Sequence, residues 1–174
     1  LPPKIFAMRI RKAGKSNAGS SVILAGKEIK LKTLGMDNQA MAYADEQLKA
    51  GKKIIHTFSK NTHTWICLEE SSKTRALKLE SRRLQAALVC NAANGLKIKS
   101  LTINNLQKDP DELLAFAEGM ALNNYQFRKY REKTSNPANT LSELKLHGAG
   151  LEEVQCTQLE TLVEAVYLGR NLVN

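Results

Sequence analysis

Few residues in this chain have the type and spacing to do chemistry. His56, His63 and Cys67 are the nearest thing to a metal-ligand set, with the two histidines on adjacent predicted strands where their rings can approach. Nothing joins them, so a surface histidine pair is the simpler expectation. Glu69-Glu70 are neighbours in sequence; on a strand they would point to opposite faces and could not act as a carboxylate pair. Glu152-Glu153 reads as a solvated turn. Ala13-Gly14-Lys15-Ser16 resembles the end of a phosphate-binding loop, but Arg9 stands where the motif needs its upstream glycine. No Gly-x-Ser-x-Gly elbow and no Gly-x-Gly-x-x-Gly fingerprint is present. No catalytic residue and no metal ligand is therefore expected in this sequence.

The 174 residues suffice for one domain with a filled core. No apolar run approaches the roughly 20 residues that span a bilayer, so no membrane partner is expected. No signal peptide is visible after Leu1-Pro2-Pro3-Lys4. Cys67, Cys90 and Cys156 are widely spaced and odd in number, which predicts reduced, buried thiols in a cytoplasmic protein. The formal charge is +9, with basic clusters over Lys4 to Lys32 and Lys73 to Arg83. A solvated surface is the simpler reading of that excess. If it marks a nucleic-acid surface instead, Lys78, Arg82 and Arg83, expected to face out, are the candidate contacts.

The elements that would position these residues alternate. Lys4 to Arg11 and Ser21 to Ala25 read as strands, and the charged–apolar alternation of Lys27 to Lys32 as an edge strand or hairpin arm. Asp37 caps a helix that ends near Leu48 or Ala50, with Gly51 as its stop. Lys53 to Ser59 and His63 to Glu69 form two strands around Lys60-Asn61-Thr62, with Trp65 at the edge of the core. Lys73 to Asn94 is the longest helical pattern, expected to pack Leu77, Leu84, Leu88 and alanines 76, 87 and 92 inward. Lys97 to Ile103 is a strand burying Ile98, and Leu141 to Leu146 marks another. Asp109, Pro110 and Glu112 give a cap, a first-turn proline and an acid at the positive helix end. Leu113, Phe116, Ala117, Met120, Asn124 and Phe127 then share one side, with Asn124 as the polar interruption. Thr157 and Glu160 suggest a capping box for the last helix, with Leu159, Leu162, Val163, Val166 and Val173 as its stripe. Gly169 within it signals either close packing or a weak point. The alternation predicts an α/β domain with a mostly parallel or mixed sheet covered on both faces.

The helix over Asp109 to Lys133 and the closing run Val163-Glu164-Ala165-Val166-Tyr167-Leu168-Gly169-Arg170-Asn171-Leu172-Val173-Asn174 resemble the second half of the N-terminal domain of the leucyl aminopeptidase (cytosol aminopeptidase) family. In that family an Arg-Asp-Leu-Val-Asn motif leads into the catalytic domain; here Asn171 replaces the acid. The resemblance implies a macro-domain-like, three-layer α/β/α fold with a mixed sheet. It implies that residues 1–174 are a single N-terminal accessory domain, inactive alone, whose partners are its own C-terminal catalytic domain and a homo-oligomer, a hexamer in the family. The two divalent metals, zinc or manganese, belong to motifs of the catalytic domain that have no counterpart here. Some bacterial members also bind DNA.

Overall fold

The protein is described here by a computed structural model covering residues 8–14, 19–72, 74–127 and 137–173. The predicted strand residues 4–7, the phosphate-loop residues 15–16 and residues 128–133 of the helix expected over Asp109 to Lys133 lie outside these residues; within them that helix ends at Asn123, short of the expected run through Phe127, with Asn124 as its cap. Six strands and four helices follow in order: β1 (Arg9–Lys12), β2 (Ser21–Ala25), α1 (Asn38–Lys49), β3 (Ile54–Ser59), β4 (Thr62–Leu68), α2 (Arg75–Gly95), β5 (Ser100–Asn105), α3 (Pro110–Asn123), β6 (Glu143–Gly148) and α4 (Glu153–Val173).

The strands form one sheet in the order β1-β6-β5-β2-β4-β3. Every neighbouring pair is parallel except β3 with β4, so the sheet is mixed. The β3–β4 hairpin turns on Lys60 and Asn61, both with positive φ, as a two-residue turn matched to strand twist requires. The chain steps one way along the sheet from β2 to β4 and the other way from β4 to β5. Right-handed crossovers then force α1 and α2 onto opposite faces. Two apolar clusters follow. One joins Val22, Leu24, Trp65, Cys67, Leu101, Ile103, Leu144 and Leu146 to α2, α3 and α4. The other joins Ala25, Ile55, Ile66 and Leu68 to α1 and a 3-10 turn over Leu31–Leu34. The architecture is the expected three-layer α/β/α. β2 lies between both layers, which is why its Val22-Ile23-Leu24-Ala25 run is apolar without alternation.

Local signals place most ends. Asp37 accepts from Ala40 N at 2.8 Å and caps α1; Gly51 stops it at φ +78°. Three expectations change. Lys27 to Lys32 is not a strand: it leaves the end of β2 irregularly and turns at Leu31, which is buried. α4 begins at Glu153, not Thr157, so Glu152-Glu153 opens the helix; the Thr157 hydroxyl donates to Glu153 O within it. Trp65 is fully buried, under the ring of His56.

The largest change is the face α2 buries. Ala86, Val89, Cys90 and Ala93 point inward with Arg82 and Gln85, while Leu77, Leu84 and Leu88 are 56%, 62% and 63% exposed. Ala76 and Ala92 are exposed as well, and Ala87 is half-buried. The cause is the close crossing of α2 over α3. A Cβ at Gly119 would lie 2.6 Å from Arg83 Cα, and a gap that narrow favours small side chains on the buried face. No such approach surrounds Gly169, which has open space, so it is the weak point of the two alternatives.

Candidate functional site

In open α/β sheets ligands bind where neighbouring strands send their connections to opposite faces, outside the carboxyl ends. Here β2 sends its connection toward α1, while β4 and β5 on either side send theirs toward α2 and α3. A cavity of about 590 Å³ lies at this point, lined by Ala25 to Lys30, Glu69, Leu106 and Gln107. It is the natural place to look for a site.

The strand ends beside it are tied by a buried charge network. The Arg82 guanidinium, 1% exposed, donates from Nε to Glu112 Oε2 at 2.9 Å. From Nη1 it donates to Cys67 O and Gln85 Oε1, both at 3.0 Å, and from Nη2 to Ala25 O at 3.3 Å. Gln85 Nε2 adds a 2.8 Å bond to Leu68 O. α2 thus satisfies the terminal carbonyls of β2 and β4 with side chains, which a buried carbonyl demands. Lys78 Nζ lies 2.7 Å from Glu112 Oε1 and 2.9 Å from Glu69 Oε1. The Glu112 contact, and secondarily Glu69, hold its ammonium above the usual lysine range against a partial desolvation penalty.

This arrangement fixes structure; it does not activate a nucleophile. Arg82 hydrogen-bonds Glu112 Oε2, while Oε1 is ion-paired with Lys78 without a well-aligned hydrogen bond, so a divalent ion would compete with both cations. Among the described residues no group of three or more histidines, cysteines and carboxylates could hold a metal. Cys67 is buried, and desolvation pushes its thiol up to about 12; burial likewise raises Cys90 and Cys156 to about 11.

The three candidate cations separate. Arg82 does not face out as expected: it is a buried structural residue because the α2 register turns it onto the strand ends. Lys78 is part-buried between two acids, and Arg83 pairs with Glu118 at 2.7 Å and Glu80 at 3.5 Å. Glu112, Gln85 and the asparagines 94 and 124 are functional to the fold in ways the sequence did not show. Asn94 Nδ2 donates to Asn124 Oδ1 at 2.8 Å, Asn94 Oδ1 accepts from Thr140 N and Leu141 N, and Asn124 Nδ2 donates to Leu141 O. Asn124, expected as a polar interruption of the helix, instead caps the end of α3 and clamps the chain entering β6. The one available signal was a buried-phase asparagine in an apolar stripe.

His56 and His63 do approach: Nε2 of the first is 3.0 Å from Nδ1 of the second. Their rings are 18° from parallel with centroids 5.2 Å apart, so they meet edge to edge through one N–H···N bond. Glu69 and Glu70 diverge, the first lining the strand-end cavity and the second a groove on α2. The terminal motif docks on α3. Arg170 Nη1 donates to Leu122 O at 3.0 Å, its guanidinium stands 5.3 Å from the Tyr125 ring centroid, and Asn171 Oδ1 accepts from the Tyr125 hydroxyl at 2.9 Å.

The class defined by these features is a three-layer α/β/α domain with a crevice at its strand ends and a last helix clamped to α3. Solved structures place that fold more narrowly. The chain is similar to a tomato leucine aminopeptidase mutant, with a TM-score of 0.66 and 17% identity over 97% of this chain and 39% of the other. It is also similar to the bottromycin maturation enzyme BotP in complex with Mn, with a TM-score of 0.61 and 18% identity over 90% of this chain and 32% of the other. The fold resemblance expected from the terminal helices thus extends over nearly the whole chain, which spans about two fifths of the first of these proteins. No family model and no curated protein matches the sequence. No helix among the described residues is long and apolar enough to cross a membrane.

Proposed function

We propose that this chain is the N-terminal, non-catalytic domain of a dimetal leucyl aminopeptidase that removes N-terminal residues from peptides in the cytoplasm. The observation that carries the reading is the match of 97% of this chain to 39% of a leucine aminopeptidase, in a domain whose one fully buried acid among the described residues, Glu112, is paired with Arg82 and Lys78. In this reading the domain assists assembly of a homo-oligomer, a hexamer, and controls access to active sites on its catalytic domain. Two zinc or manganese ions in that catalytic domain would activate water and polarise the peptide carbonyl. Leucine-p-nitroanilide hydrolysis with added Mn or Zn tests it. Activity is expected from the full-length protein and none from residues 1–174; activity in the fragment, or none in the whole, defeats it.

A nucleic-acid role is the second reading, favoured by the +9 charge. Of its candidate contacts Lys78 and Arg83 keep exposed surface, at 28% and 36% of their side chains, whereas Arg82 does not. DNA retention that falls steeply with salt, and weakens in Lys78→Ala/Arg83→Ala, supports it; no shift at low salt removes it.

A further inference from the structure

The β3–β4 hairpin carries four rings in a row on one face: Trp65, His56, His63 and Phe58. The register pairs His56 with Trp65 and Phe58 with His63, so the two histidines sit diagonally across the strands. Each imidazole is held from its outer side. The Trp65 ring centroid is 4.6 Å from that of His56, and the Phe58 ring centroid is 4.7 Å from that of His63. Between them, Nε2 of His56 and Nδ1 of His63 stand 3.0 Å apart. That separation is the spacing of a chelate. An ion at an ordinary imidazole bond length of about 2.0–2.1 Å from both nitrogens would subtend an angle of about 91–97°. This is the cis angle of a square-planar or octahedral centre; at the same bond length a tetrahedral centre needs its nitrogens about 3.3–3.4 Å apart. Imidazole suits copper, nickel and zinc, and tetragonal nitrogen and oxygen sites select Cu2+ or Ni2+.

We infer that His56 and His63 chelate one Cu2+ ion through Nε2 and Nδ1, with water or an outside ligand in its remaining positions. The site lies in this domain and does not rest on the peptidase reading or on the metals of a catalytic domain. In the metal-free pair one facing nitrogen holds a proton and the other a lone pair. On binding, that proton passes through solvent to the far nitrogen of its own ring. Both facing nitrogens then present lone pairs, and both rings stay neutral. Burial, and secondarily His63, hold the His56 pKa below its ordinary value, so this ring is mostly neutral at neutral pH. His56 is exposed and His63 half-buried, so an ion enters from solvent and the rings can turn to meet it. Among the described residues no third histidine, cysteine or carboxylate completes a ligand set, which leaves the ion exchangeable.

Trp65 is the only tryptophan of the chain and lies against His56, so its fluorescence reports the site: paramagnetic Cu2+ held there quenches it. The untagged 174-residue chain, titrated with copper sulfate at neutral pH, should quench saturably at one ion per chain. His56→Gln and His63→Gln, with circular dichroism confirming that each is folded, should each raise the dissociation constant at least about tenfold, because one ligand of the chelate is gone. His147→Gln, at the third histidine, should leave it unchanged. The electron paramagnetic resonance spectrum of the copper adduct should show two coupled imidazole nitrogens in the wild type and one in either hairpin variant. Zn2+ should bind at least about tenfold more weakly than Cu2+, by the order of divalent affinities and by the cis angle. No saturable quenching below about 100 μM Cu2+ overturns the proposal, since that is far weaker than a chelate requires. So does quenching that survives both hairpin variants or is lost in His147→Gln, a single-nitrogen spectrum in the wild type, or Zn2+ bound as tightly as Cu2+. None of these results bears on the peptidase assay.

Discussion

Removing the Glu112 carboxylate is the sharpest test of the strand-end network. In Glu112→Gln the side chain keeps its size, but Arg82 loses its counter-ion while 1% exposed and surrounded by neutral acceptors. Lys78 loses one of its two acids but keeps Glu69 and water. An unpaired buried charge costs about 3–5 kcal/mol when its partner is removed, and the retained carbonyl bonds of Arg82 place the expected loss near 3 kcal/mol. Against a total stability on the order of 5–15 kcal/mol, this moves the urea midpoint substantially with little change in slope. The paired replacement Arg82→Met/Glu112→Leu separates charge from packing. It removes both ions, so it should recover part of the loss. Recovery stays incomplete because Cys67 O loses its guanidinium donor. A Glu112→Gln loss below 1 kcal/mol, or a double variant less stable than the sum of the single variants Arg82→Met and Glu112→Leu, would refute the reasoning.

Two glycines should respond in opposite directions to alanine. Gly119→Ala must push α3 off the α2 backbone and should destabilise by about 1–3 kcal/mol, as overpacking does. Gly169→Ala meets open space in a helix and should stabilise by up to about 1 kcal/mol; thermal unfolding distinguishes them. Desolvation against Trp65, with His63 nearby second, lowers the His56 pKa below its ordinary 6.5. A histidine depressed on folding contributes stability that is present above pH 6.5 and is lost as pH falls through its folded pKa. Unfolding free energy should therefore drop on acidification across that window, and drop less in His56→Gln. Finally, Cys67, Cys90 and Cys156 should resist a thiol reagent at pH 8 in the native protein and react together only on unfolding, because all three thiols are buried and raised.

The sequence by itself determined what local chemistry can encode. Asp37 with Gly51, Lys60-Asn61 in a hairpin, and Asp109-Pro110 at a helix start carry their own hydrogen bonds and backbone angles, so α1, the β3–β4 turn and the start of α3, though not its end at Asn123, were legible from a few residues each. The alternation of strands and helices gave the α/β class for the same reason. Which face of α2 is buried was decided only by tertiary structure. Both faces are apolar in sequence, and the leucines are the larger side chains, but the close crossing at Gly119 accepts alanine and cysteine instead. Arg82 and Gln85 point inward because their partners are the carbonyls ending β2 and β4, 57 and 17 residues away in the chain. No periodicity in α2 can register a hydrogen-bond acceptor that only folding brings beneath it.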